Sequence, residues 1–185
     1  MKPEQPTIGT QRTAIIVAGM HRSGTSVTTR IVNLLGAELA RDLIPGDVGN
    51  ERGHWESRAV QDLHNRLLAE LGSDLYSPVN VPAGWFDSAD ARPWIARLRE
   101  LIAAEHPTAG LFVLKDPRIA LFLPLWSEAL RQSGIVPRFI LPFRHPEAVA
   151  ASLERRERRL ASGNALPPAQ GVAVWPRVNC SAAST

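Results

Sequence analysis

Two segments of this chain combine residue types and spacings that can hold an oxyanion, and two more carry groups able to move a proton or neutralise charge. The first is Gly19-Met-His-Arg-Ser-Gly-Thr-Ser26. Gly19 and Gly24 let a tight loop turn its backbone N–H groups inward, and a helix starting directly behind them adds the positive end of its dipole. A nucleoside-triphosphate loop of this spacing carries lysine after the second glycine. Here Thr25 stands there, and the cation is Arg22, which argues against an ordinary ATPase or kinase.

The second segment is Arg144-His-Pro-Glu-Ala-Val-Ala-Ala-Ser152. Its arginine closes a predicted strand, and its serine stands about two turns into the predicted helix that follows. A guanidinium fork and a neutral hydroxyl together suit one phosphate group. Gly53-His-Trp-Glu56 carries an imidazole and a carboxylate, His54 and Glu56, able to move a proton. Lys115-Asp-Pro-Arg118 offers Lys115, one of only two lysines among 21 basic residues, at the end of another predicted strand.

The elements that must position these groups follow from apolar periodicity. Ala14–Ala18 reads as a buried strand ending in the glycine loop. Thr25–Leu35 reads as a helix, with Val27, Ile31, Leu34 and Leu35 at helical spacing and Gly36 as its stop. Residues 37–57 suit a long ordered or closing loop, followed by helices over Arg58–Leu71 and Ala91–Glu105, the latter with Ile95, Leu98, Leu101 and Ile102 on one face. Leu111–Leu114 is a strand, Leu121–Gln132 a helix, Arg138–Phe143 a strand with an awkward Pro142, and Glu147–Leu160 a helix. Strands separated by helix-length segments imply an α/β fold with parallel pairing, whose carboxyl edge gathers every candidate residue.

At 185 residues and 44% hydrophobic the chain suits one domain. We expect a flexible segment 1–13, a folded domain 14–160 and an irregular tail 161–185. The single cysteine, Cys180, has no internal partner, which fits a reducing compartment. Met1–Thr13 lacks a signal-peptide core and no run is long enough to span a bilayer, so the expected location is the cytoplasm. A net charge of +3 fits a polyanionic ligand. Glu154-Arg-Arg-Glu-Arg-Arg159 reads as a solvated helix face, and without interleaved aromatics it predicts no nucleic-acid partner. No His, Cys and carboxylate cluster has metal-ligand spacing, so no metal is expected.

Gly19–Ser26 resembles the 5′-phosphosulfate loop of sulfotransferases, and Arg144 with Ser152 resembles their 3′-phosphate motif. Gly53–Glu56 and Lys115–Arg118 look like segments of bacterial sulfotransferase-domain proteins, and Lys-Asp-Pro also resembles the tyrosylprotein sulfotransferases. The resemblance covers about residues 14–160. It implies a P-loop NTPase-like, three-layer α/β/α fold with a central parallel sheet. The implied co-substrate is 3′-phosphoadenosine 5′-phosphosulfate (PAPS), and the implied reaction is sulfuryl transfer to a hydroxyl or amine of a small molecule, carbohydrate or protein. By the resemblance, Arg22 contacts the bridging oxygen and sulfonate, and Ser23, Gly24, Thr25 and Ser26 hold the 5′-phosphate. Arg144 and Ser152 hold the 3′-phosphate. Glu56 is the implied base, with Trp55 beside it to desolvate it and His54 as the alternative. Lys115 would stabilise the sulfonate, with Asp116 orienting it or a neighbouring arginine. His21 and His145 receive no role in proton transfer. Nothing after Ser162 matches the Gly- and Lys-bearing segment that covers the donor in cytosolic sulfotransferases, and Val172–Asn179 only faintly resembles the start of a further helix. The expectation is therefore a shortened chain, with a non-catalytic PAPS- or PAP-binding remnant as the alternative reading (PAP is the 3′,5′-bisphosphate) and a P-loop kinase or nucleotide hydrolase as a third.

Overall fold

Residues 11–47, 50–74, 81–82 and 84–159 are described by a computed structural model. The expected segment 1–13, apart from its last three residues, and the tail 161–185, with Cys180 and Val172–Asn179, lie outside them. Along the chain run β1 (Thr13–Val17), α1 (Thr25–Leu34), α2 (Arg58–Glu70), α3 (Arg92–Glu105), β2 (Leu111–Lys115), α4 (Leu123–Gln132), β3 (Val136–Ile140) and α5 (Pro146–Arg159). Short 3₁₀ turns occupy Trp85–Asp87 and Pro117–Leu121.

The three strands form a parallel sheet in the order β2-β1-β3. Val17, the last residue of β1, is in register with Lys115 on one side and Ile140 on the other. The chain therefore leaves all three strands at one level, and the loops carrying Arg22, Asp116 and Arg144 emerge from the same edge. Outside β2 the segment around Glu38 adds a parallel bridge to Phe112 through Glu38 N–H to Leu111 O (2.9 Å) and Val113 N–H to Glu38 O (2.9 Å).

Strand alternation sends apolar side chains to both faces of the sheet. Ala14, Ile16, Phe112 and Leu114 join the larger core, built with Leu67, Leu98, Trp126, Leu130 and Val149 from the helices. Ile15, Val17 and Val113 join a smaller core on the other face, with Val32 of α1 and Ala37. Helix α2 starts where Ser57 caps it, its hydroxyl accepting from Val60 N–H at 3.2 Å.

Two sequence expectations need correction. The face of α1 that packs inward is Thr25, Thr29 and Val32, while Val27, Ile31, Leu34 and Leu35 are 52–79% exposed. Small residues let this helix lie close to the sheet, and Thr29 meets its own hydroxyl by donating to Thr25 O at 2.8 Å. Strand β3 lies at Val136–Ile140, so Pro142 falls beyond it and Pro137 falls within it. Among the described residues β3 has a strand neighbour on one side only, the position where a missing N–H is tolerated. No helix of the described residues is long and apolar enough to cross a membrane.

Candidate functional site

Directly after β1 the chain turns through Gly19 (φ 146°), Arg22 (φ 68°) and Gly24 (φ 93°) into α1. Gly24 occupies the N-cap without a side-chain cap, so the first backbone N–H groups of α1 face outward without a side-chain acceptor. The buried Ser23 hydroxyl has no hydrogen-bond partner. Arg22 and Trp55 are the described non-glycine residues with positive φ, and both stand at this edge. A left-handed arginine costs on the order of 1 kcal/mol, strain of the kind found at ligand clamps.

The two predicted anion segments meet here. Arg22 Nε donates to Ser152 Oγ at 3.0 Å, and Arg144 donates to the Arg22 carbonyl at 2.9 Å. Ser152 is buried and Arg144 exposed. Burial, then Arg156 and Arg144, pull the Arg22 pKa down, against the opposing pull of Asp47. An anion at this loop would relieve that crowding of cations.

Two cavities open on either side of a wall made by Arg22, Thr25, Ser26 and Asn50. One, of about 240 Å³, adds Gly24 and Arg144. The other, of about 230 Å³, adds Glu56, Lys115, Arg118, Arg156, His21 and His54. In the second, Lys115 forms an ion pair with Glu56, both almost wholly buried. Lys115 Nζ also donates to His54 O at 3.2 Å and lies 3.4 Å from Ser26 Oγ, which accepts from Asn50 Nδ2 at 3.1 Å. His54 is turned toward Asp47, with Nε2 3.3 Å from Oδ2. His21 is pushed down to about 3, first by burial and then by Arg156, Lys115, Arg118 and Arg22, so it is neutral near pH 7.

Behind Lys115 lies a buried relay. Trp126 Nε1–H donates to His64 Nε2 at 2.9 Å, which leaves the His64 proton on Nδ1 to be donated to Asp116 Oδ1 at 3.0 Å. Asp116 in turn accepts from the Arg118 backbone N–H and its guanidinium, each at 2.8 Å. Burial alone would raise the Asp116 carboxyl. The His64 hydrogen bond and the charge and backbone N–H of Arg118 outweigh it and hold the group below the usual carboxylate range.

No protein-family model, curated protein or solved structure matches this chain.

The geometry of the site brings Arg22, Arg144 and Ser152 into contact, and it joins Lys115, Glu56 and Ser26 across the shared wall. It departs from expectation at Trp55, whose ring lies under the Arg30 guanidinium at 4.8 Å, while Lys115 is the partner Glu56 meets. His145 is exposed, near Glu147. Asp116 orients an arginine, Arg118, and leaves Lys115 to Glu56. Arg156, read from sequence as part of a solvated face, instead enters the second cavity and pairs with Asp47 at 3.6 Å. One turn separates it from Ser152 on α5, so helical spacing from a serine already singled out was the signal that could have found it. Asn50 and Arg118 were not foreseen as site residues. Among the described residues no group of three or more His, Cys, Asp and Glu stands together so as to hold a metal ion.

Proposed function

We propose that this protein is a PAPS-dependent sulfotransferase that transfers a sulfuryl group to a hydroxyl or amine of its acceptor. The observation that carries the reading is the meeting of the two anion segments, with Arg144 donating to Arg22 O at 2.9 Å and Arg22 donating to Ser152 at 3.0 Å. A single nucleotide bearing phosphates at both ends of its ribose can engage both. The order β2-β1-β3, with the anion loop leaving the central strand, supports assigning the sheet to the P-loop NTPase-like, three-layer class. A single cysteine and the lack of a membrane-spanning helix among the described residues are compatible with the cytoplasm as the proposed compartment.

In this reading the backbone N–H groups of Ser23–Ser26 and the open start of α1 take the 5′-phosphate, and the unmet Ser23 hydroxyl gains an acceptor. Arg144 and Ser152 take the 3′-phosphate, Ser152 exchanging its bond to Arg22 for one to oxygen. Arg22 then turns toward the bridging oxygen. Lys115 Nζ leaves Glu56 for the sulfonate, where negative charge accumulates in the transition state, and frees the Glu56 carboxylate to accept the acceptor's proton. The sulfur–oxygen bond to the acceptor forms as the bond to the 5′-phosphate breaks, and PAP departs.

Calorimetry checks the reading at its base. PAP should bind one to one, and Arg144→Ala should weaken it by about 1.5–3 kcal/mol, the range for a hydrogen bond to a charged group, with adenosine 5′-monophosphate hardly affected. Equal losses for both nucleotides would show that Arg144 does not read the 3′-phosphate.

A second reading is favoured by the same Lys115–Glu56 pair, because a carboxylate committed to a buried lysine is a poor base unless that lysine moves. On it the chain binds PAPS without turning it over. Labelled donor incubated with a broad acceptor extract separates the two: sulfated product supports the transferase, and tight binding with no product supports the binding protein.

A further inference from the structure

Arg118 is a cation the reaction above leaves unused, yet it is held in place by a buried carboxylate. Its backbone N–H and guanidinium are both tied to Asp116, and Asp116 is fixed in turn by His64 and Trp126. Residues of α2, α4 and the turn after β2 thus form one chain of buried polar contacts that ends on Arg118. Its side chain is 10% exposed, and its buried Nε–H has no hydrogen-bond acceptor. A buried donor without a partner is unusual in a core and common where a ligand completes the set. Arg118 lines the cavity of Glu56 and Lys115 and not the cavity of Arg144. Arg156 lines the same cavity. Of the four cations around that cavity, Lys115 pairs with Glu56, Arg156 with Asp47 and Arg118 with Asp116, which stands behind the cavity.

We infer that Arg118, with Arg156 beside it, forms an oxyanion subsite on the acceptor's side of the cleft, so that the acceptor is an anionic molecule whose carboxylate, sulfate or phosphate docks on Arg118 while its hydroxyl faces Glu56. The term acceptor rests on the sulfotransferase reading. The subsite itself rests on the Arg118 geometry. The fork of a guanidinium, held by Asp116 through Nη1, gives such a group a fixed orientation that a lysine would not.

Inorganic sulfate titrated into protein already saturated with PAPS tests this. Sulfate should bind one to one, and Arg118→Gln should weaken it at least about tenfold, the scale of one charge-assisted hydrogen bond, with less than about twofold change in PAP affinity. Arg118→Lys, which keeps a charge beside Asp116, should fold if the glutamine variant does not, and should still lose most of the sulfate affinity. Sulfate that binds the PAP-loaded protein but is displaced when PAPS replaces PAP would mean that Arg118 reads the donor's sulfonate, and would overturn the inference. So would unchanged sulfate binding in both variants. Sulfate held through Arg118 by a protein that binds neither nucleotide would sink the sulfotransferase reading and leave an oxyanion site standing.

Discussion

Lys115 and Glu56 show how one contact can serve two ends. Each alone would be an uncompensated buried charge, and together they neutralise each other in the wall of the cleft. Glu56→Gln and Lys115→Met should therefore each destabilise the fold by about 3–5 kcal/mol, the range for removing one partner of a buried pair, whereas the double variant should recover much of that loss. Urea unfolding of the three variants measures the cycle; additive losses would show that the two side chains do not act as a pair. His21 gives a separate signature. Its folded pKa, about 3, lies below the ordinary 6.5, so between these values the unfolded chain takes up a proton that the folded one refuses. Stability should fall as pH drops from 6.5 towards 4, by at most about 1.4 kcal/mol per pH unit for this one proton. His106, also lowered by burial despite its bond to Glu38, adds in the same direction. His21→Gln should flatten part of the slope in denaturant midpoints measured from pH 4.5 to 7, above the range in which Asp116 titrates. An unchanged slope would remove His21 from the account.

At the level of elements, the strands and most helix limits were legible because runs of β-branched residues and 3.6-residue periodicity report burial directly. β1 and α2 to α5 lie within a few residues of where the pattern puts them. Helix α1 defeats that logic. Its bulkiest apolar residues point outward, and threonines face the sheet, because close approach selects for size and an internal acceptor satisfies the hydroxyl. Val32→Ala should therefore cost about 1–2 kcal/mol for two buried methyl groups, while Leu34→Ala should stay within about 0.5 kcal/mol. Thermal melts that ranked Leu34 above Val32 would reverse the assigned face. The candidate site divides along a similar line. Arg22, Arg144 and Ser152 were legible because a loop or a helix turn fixes them locally. The Lys115–Glu56 partnership and the His64–Asp116–Arg118 relay were not, since each depends on elements distant in sequence meeting at one edge of the sheet.

On the scale of the whole molecule, polar and apolar exposure are divided unevenly. Cations converge at the carboxyl edge of the sheet. Elsewhere Val27, Ile31, Leu34 and Leu35 of α1, and Phe139, Leu141 and Phe143 on and after β3, stand 40–79% exposed. Strand alternation puts Phe139 on the face of Ile16, opposite the face that α1 covers through Val32, so these residues make two surfaces rather than one patch. Scattered apolar side chains in water contribute little to folding, and large contiguous ones lower solubility. For α1 this gives a definite expectation. Ile31 and Leu35 are one turn apart and more than half exposed, so Ile31→Lys with Leu35→Lys removes little buried surface and adds two charges at the helix surface. The melting temperature should change by no more than about 2 °C, the shift that about 0.5 kcal/mol produces in a chain of this size, while the saturating concentration in precipitant rises. A fall of about 10 °C would instead mean that these side chains are buried in the folded protein, and that the outer face of α1 belongs to its core.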